Sequence, residues 1–155
     1  RDPRHNALFG AAWTLAYAAT VADAEPELLT LSTLAGPSGL IAGAGEPVEA
    51  GRARPLFHVL NWLAQLSDGL RIAVETSAPE CVAGLGATLN RTTTLLLANL
   101  TPDLQRVMLP EAGARRLTLL DETWLRDGAG EPEGIAHQSD SLDLPAYAAA
   151  RIDIL

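Results

Sequence analysis

Lysine is absent: all 11 basic residues are arginine, set against 19 acids for a net charge of −8. A nucleic-acid partner needs a basic face to engage phosphates, so none is expected. A single cysteine, Cys81, leaves no intramolecular disulfide and no cysteine-based zinc site. The histidines His5, His58 and His137 have no His-x-x-x-His spacing, so no metal is expected. Gly43-Ala44-Gly45 and Gly84-Leu85-Gly86 complete neither a Walker nor a dinucleotide pattern, so no cofactor is expected. Long apolar runs are lacking too. The longest, Ala7 to Ala22, is 16 residues and is broken by Thr14 and Thr20. A membrane span wants roughly 20 more strongly apolar residues. No membrane partner is therefore expected, and with no leader visible the expected location is cytoplasmic. The chain opens on Arg1-Asp2-Pro3 without a start methionine and reads as a piece of a longer protein.

What is present is core-forming material: 48% hydrophobic and 19% charged residues, without the signature of disorder. Residues 3–24 read as a helix, with Asp2 as cap and Pro3 in the first turn. Leu8, Ala12, Leu15, Ala19 and Ala22 form one stripe, and Phe9, Trp13, Tyr17 and Val21 a second. So apolar a helix is expected to be packed on more than one side. Leu28 to Thr33 reads as a short buried strand, followed by the turn Gly36-Pro37-Ser38-Gly39 and an irregular loop over 42–54. Pro55 opens a second helix carried by Leu56, Val59, Leu60, Leu63 and Leu66.

From Leu70 onward the period changes to two. Strands are expected over 70–74, 82–90, 92–100, 104–109, 116–123 and 150–154, with a solvated acidic loop over 126–143. The fold class is therefore α+β, with helix–strand–helix over residues 1–68 and an antiparallel β-sandwich over 69–155. A lone short strand has no ladder partner. The first part must belong to a larger parallel sheet or dock on the sandwich.

Three stretches carry a family resemblance. They are Phe9-Gly10-Ala11-Ala12-Trp13-Thr14-Leu15 with Leu28 to Leu31, Pro55 to Leu63, and Leu95 to Thr101 with Arg106 to Pro110. The chain resembles the terminal helix–strand–helix of glycosidase-like (β/α)₈ barrels that continue into a C-terminal β-sandwich. Among these, the first stretch is most similar to the D-apionate lactonase-like group of bacterial sugar-acid enzymes. The resemblance implies a sugar or sugar-acid as the small-molecule partner, an upstream barrel portion in the same protein, and a mainly scaffolding role here. Thr33 stands where that group's pattern carries an acid. The rival reading is a non-catalytic sandwich module that binds carbohydrate or protein through exposed aromatics such as Trp124 and Tyr147.

On the barrel reading, active groups gather where strands end and helices begin. That geometry selects Arg4, His5, Thr33 and Ser38 as substrate-binding candidates, with Arg52 and Arg54 nearby to meet a carboxylate or lactone oxygen. Catalytic residues are not assigned. An Asp2–His5–Ser38 relay lacks a nucleophile-elbow frame. Glu46 and Glu49 are the carboxylates of the rim loop, whereas Glu25 and Glu27 sit at the opposite end of the strand. Trp13 and Trp62 are expected in the core, His58 as a packing residue, and His137 exposed. Gly84 and Gly86 are expected to relieve a tight strand crossing.

Overall fold

The structure is a computed structural model that describes residues 3–24, 26–46, 50–110, 113–128 and 130–155. The N-terminal helix begins later than its pattern suggests. Pro3–Asn6 form a 3₁₀ turn, and helix α1 runs over Leu8–Val21 with Ala7 as an N-cap that offers no side-chain bond. The proposed cap Asp2 lies outside the described residues. Gly10 is required where the two segments meet, because a Cβ there would lie 2.2 Å from the His5 carbonyl oxygen. Helix α2, Pro55–Gln65, starts on its proline as expected.

Helix α1 packs on both α2 and the β-sheet, and Gly10 and Thr14 are buried beside its apolar stripe. Leu8, Ala11, Ala12, Leu15 and Ala18 recur at helical spacing and are buried, the first four in one core with Leu56, Val59 and Trp62 of α2. Trp13 falls on the other side. It is 53% exposed and stacks on Tyr17, with ring centroids 5.7 Å apart. The expectation of a core Trp13 is corrected, while packing on more than one side holds, since α1 meets both α2 and the β-sheet. The buried stripe is set by leucines and alanines, and positions 13 and 17 lie off it.

The rest of the chain is β. Strands are β1 (Leu70–Ile72), β2 (Val82–Leu89), β3 (Thr92–Asn99), β4 (Gln105–Met108), β5 (Arg115–Leu120), β6 (Ile135–His137), β7 (Ser141–Leu144) and β8 (Ala149–Ile154). A six-stranded antiparallel sheet has the order β1-β2-β3-β8-β5-β6, and β4 pairs with β7 in a second, two-stranded sheet. Period-two alternation sends alternate residues to the two faces. Ala87, Leu96, Ala98, Leu120 and Ala149 pack on the two helices. Leu95, Leu97, Leu117, Ala150 and Ile152 pack with Leu142 and Leu144 of β7. The helical part is thereby docked on the sandwich through a continuous apolar layer. Each leucine fully buried there contributes about 1.5–3 kcal/mol.

Several local features follow from residue chemistry. Asn90 and Arg91 join β2 to β3 as a two-residue hairpin in which both φ angles are positive, 50° and 69°. A Cβ on Gly84 or Gly86 would come within 2.6 Å of the Val74 or Ile72 side chain, so these glycines make room for neighbouring side chains, and Gly86 pairs with Ile72 in the antiparallel ladder where a strand crossing was expected. Asn99 is fully buried. Its amide nitrogen donates to the carbonyls of Asp103 (2.7 Å), Leu144 (3.0 Å) and Pro145 (2.8 Å), and its oxygen accepts from the backbone N–H (2.9 Å) and hydroxyl (2.8 Å) of Thr101. One side chain thus holds the corner where β3 ends and β7 turns into β8. That corner carries Tyr147, whose ring meets Phe9 of α1 edge-on at 5.4 Å.

Three expectations need correction. The strand expected to reach Thr123 ends at Leu120. Asp121 then accepts a bond from the Trp124 N–H at 2.8 Å and caps a short helix α3, Glu122–Arg126. The acidic segment 126–143 is not all loop, since it holds β6 and most of β7. Its short strands escape notice because glycine and acids dominate the composition around them. His137 is half-buried, with its ring nitrogen 3.1 Å from the Ser141 carbonyl oxygen.

Leu28–Thr33 forms no strand ladder. Leu28 is 84% exposed, and among the described residues only isolated bridges, Ala35 with Ile41 and Ile41 with Ala53, mark this region. A strand is a shared structure, and here every parallel neighbour it would need is missing from the described residues. The six strands of the large sheet pair among themselves. No helix of the described residues is long and apolar enough to cross a membrane.

Candidate functional site

The start of α1 and the turn after Leu28–Thr33 are about thirty positions apart yet meet in space. The Asn6 side-chain amide donates to the Pro37 carbonyl at 3.0 Å, across a separation of 31 positions. The turn closes on itself through Gly39 N–H to Gly36 O (2.9 Å). Gly39 has no room for a Cβ, which would sit 2.5 Å from the Ala35 carbonyl carbon. The Ser32 hydroxyl donates to the Ser38 carbonyl at 3.2 Å, and the Thr33 hydroxyl donates to the Ala35 carbonyl at 3.2 Å.

Arg54, immediately before α2, is the clamp of this end. It is 4% exposed. Its guanidinium donates to the carbonyls of Gly39 and Gly36 and pairs with Glu46, which also accepts from the Gly43 N–H at 3.2 Å. Both helix starts and the 36–39 turn are therefore tied together at one end of the molecule. Arg54 faces inward, so its expected role toward a ligand oxygen is replaced by a structural one. Glu46 is likewise engaged in this clamp. Glu49 and Glu25 lie outside the described residues.

The four candidates Arg4, His5, Thr33 and Ser38 are all exposed at this end. The Arg4 guanidinium lies 5.1 Å from the Phe9 ring centroid, a cation–π contact that links it through Phe9 to Tyr147 of the sandwich. No hydrogen bond joins His5 to Ser38 among the described residues, and Asp2 is not described, so a nucleophile relay is not assembled. The arrangement offers a guanidinium, an imidazole and two hydroxyls, a set suited to holding an oxygen-rich ligand.

Sequence reasoning missed Asn6, the residue that joins the two patches. Its only signal was an amide side chain in a first turn. A cavity of about 650 Å³ lies elsewhere, between the 26–32 segment, α1, α2 and β2. Its walls are mostly apolar side chains such as Val21, Leu29, Leu31, Leu60 and Leu63, with little chemistry to offer. Trp124 and Tyr147 do not form an exposed aromatic row: both are half-buried, Trp124 against His58 and Tyr147 against Phe9.

Comparison with known proteins follows the same division. Residues 1–68 match the family model described as D-apionate lactonase, TIM barrel domain, and residues 79–152 match D-apionate lactonase, C-terminal immunoglobulin-like domain. The D-apionate lactonase of Brucella anthropi is 52% identical over 67 residues, which is 43% of this chain and 11% of that protein. The chain thus matches about a tenth of that relative's length. Among solved structures, a GH39 β-xylosidase from Caulobacter crescentus superposes with a TM-score of 0.62 at 16% identity, covering 99% of this chain and 41% of the other. The subfamily 8 family 30 xylanase Xyn30A from Clostridium acetobutylicum gives 0.60 at 10% identity, covering 97% and 40%. At such identities these structures speak for the fold alone. With both domain models matched in order, this chain is similar to a TIM-barrel segment running into an immunoglobulin-like sandwich and resembles the D-apionate lactonase-like group.

Proposed function

We propose that this chain contributes the last barrel elements (residues 1–68) and the sandwich (69–155) of a cytoplasmic carbohydrate hydrolase most like a sugar-acid lactonase. The chain itself is mainly scaffold. Arg4, His5, Thr33 and Ser38 line the rim of a substrate site whose reacting groups come from the upstream barrel portion. The observation that carries this reading is the gathering of both helix starts and the 36–39 turn at one end, through Asn6 to Pro37 and Arg54 to Gly36 and Gly39. In a barrel, that is the end where chemistry occurs.

In lactone hydrolysis, water adds to the ring carbonyl carbon and the ring C–O bond breaks. The leaving alkoxide takes a proton, and a hydroxy-carboxylate and one proton are released. A rim guanidinium suits the carboxylate that forms, and hydroxyls and imidazole suit the sugar oxygens. The test is to assay the full-length protein by titrating acid release from D-apionate lactone and other sugar-acid lactones, and by reading phenol release from aryl glycosides. Turnover of lactones is expected, with Arg4→Met and His5→Ala raising KM more than they lower kcat. Failure on both substrate classes refutes a hydrolase, and activity confined to glycosides refutes a lactonase.

A further inference from the structure

On the opposite side of α2 from α1, the sheet changes character. His58, Asn61, Trp62 and Gln65 occupy one face of α2, at spacings of three and four residues. They look onto a polar block of the sheet. Arg116 and Thr118 of β5 lie directly opposite Asp153 and Arg151 of β8. These positions continue the face that is apolar at Leu120 and Ala149. Between α2, this block and residues 131–134 lies a cleft of about 410 Å³, within the size range of small-molecule sites.

The cleft holds unused hydrogen-bonding capacity. Arg151 is committed to Asp153 (3.0 Å) and to Gln65. Among the described residues Arg116 uses only Nε, donating to the Gly134 carbonyl at 3.1 Å, which leaves its terminal nitrogens for the cleft. The side chains of Thr118, Asn61, Glu131 and Glu133 make no hydrogen bond among the described residues. His58 forms part of the cleft wall and is 7% exposed. Its Nε2 is closed off from solvent and has no hydrogen-bond partner among the described residues, so the ring reports on the cleft through packing and not as a ligand. Burial also holds the imidazole below its usual pKa, favouring the neutral ring despite the nearby Glu131 charge.

The charge balance selects the ligand class. With Arg151 and Asp153 paired, one cation, Arg116, faces two carboxylates, Glu131 and Glu133. An anion meets net repulsion there, whereas a neutral ligand whose hydroxyls both donate and accept satisfies guanidinium, carboxylate, amide and hydroxyl together. We propose that this cleft is a second, non-catalytic site for a neutral monosaccharide-sized sugar, set at the junction of α2 and the sandwich and separate from the Arg4–Ser38 rim. It stands whether or not the rim belongs to a lactonase.

The test is NMR titration of the full chain with D-xylose, D-glucose and, as an anionic control, D-gluconate. Saturable binding of a neutral sugar is expected, with the His58 imidazole ¹⁵N signals moving along the same curve. Arg116→Met, which keeps the aliphatic stem, and Glu133→Gln are each expected to weaken binding at least tenfold, while His5→Ala leaves it unchanged. No saturable binding of either neutral sugar overturns the proposal. Preference for gluconate overturns the ligand class. Binding insensitive to Arg116→Met, or with His58 silent, overturns the location.

Discussion

Asn99 is the side chain whose replacement most sharply tests how the sandwich is held. Its NH₂ has two protons shared among three carbonyls, and its oxygen takes two donors from Thr101. Asn99→Ala removes about four effective bonds. At a net of about 1 kcal/mol each, the loss is about 3–5 kcal/mol, a large share of the 5–15 kcal/mol typical of a domain. Asn99→Asp keeps the acceptor for Thr101 but points a second carboxylate oxygen at the three carbonyls. The introduced carboxyl is then buried among acceptors, so its folded pKa is raised above the unfolded value of about 3.9. The native state binds the proton more tightly than the unfolded chain, and stability is lost as pH rises. Urea denaturation of the full chain from pH 4 to pH 8 separates the two variants. The alanine variant is expected to sit at a constant offset below the parent. The aspartate variant is expected to fall further as pH rises and to recover toward pH 4. An aspartate variant as stable as the parent at pH 7, or one whose offset ignores pH, refutes the assigned donor geometry.

Other substitutions probe the close contacts and the clamp. Gly86→Ala places a Cβ 2.6 Å from Ile72. It is expected to cost about 1–3 kcal/mol and to expose β1 to hydrogen exchange before the other strands. Arg54→Met removes the buried cation that pairs with Glu46 and donates to the Gly36 and Gly39 carbonyls. A loss of about 3 kcal/mol is expected in denaturant melts, with faster exchange at Gly39 N–H. His58 is held neutral by burial, below its usual pKa. The unfolded chain therefore gains a proton before the folded one, so this residue's share of stability is complete above about pH 6.5 and is lost as pH falls. His58→Phe is expected to flatten the melting temperature between pH 5 and pH 7, and a variant with the parent's slope contradicts the assignment.

What was legible in the sequence depended on whether a residue's role was set locally. Pro55 fixes its own φ and has no N–H to satisfy, so α2 begins there whatever surrounds it. Alternation in Leu95–Ala98 and in Ala149–Ile152 places residues on opposite faces by backbone geometry alone, and those strands lie where the pattern put them. Gly84 and Gly86 are legible as places of close approach because a glycine inside a strand has few other uses, but that the approaching atoms are the Val74 and Ile72 side chains is set by the fold. Roles set by a distant partner were less legible. Arg54 beside Pro55 suggests a free guanidinium at a helix start. Only the fold brings Glu46 and the Gly36 and Gly39 carbonyls around it.

Leu28–Thr33 shows the same dependence in reverse. Its composition is that of a buried strand, but burial and pairing are properties of a sheet and not of six residues. Without parallel neighbours the segment forms no ladder, with Leu28 exposed and a cavity of about 650 Å³ beside it. The turn that follows is nevertheless fully formed, because its bonds run to Asn6, to Arg54 and within itself. The rim geometry is thus encoded in side chains of this chain, whereas the sheet geometry is encoded jointly with its neighbours. Substitutions at Asn6 or Arg54 should therefore disturb the rim in any context. Substitutions at Leu28 or Leu29 should matter only where a neighbouring strand covers them.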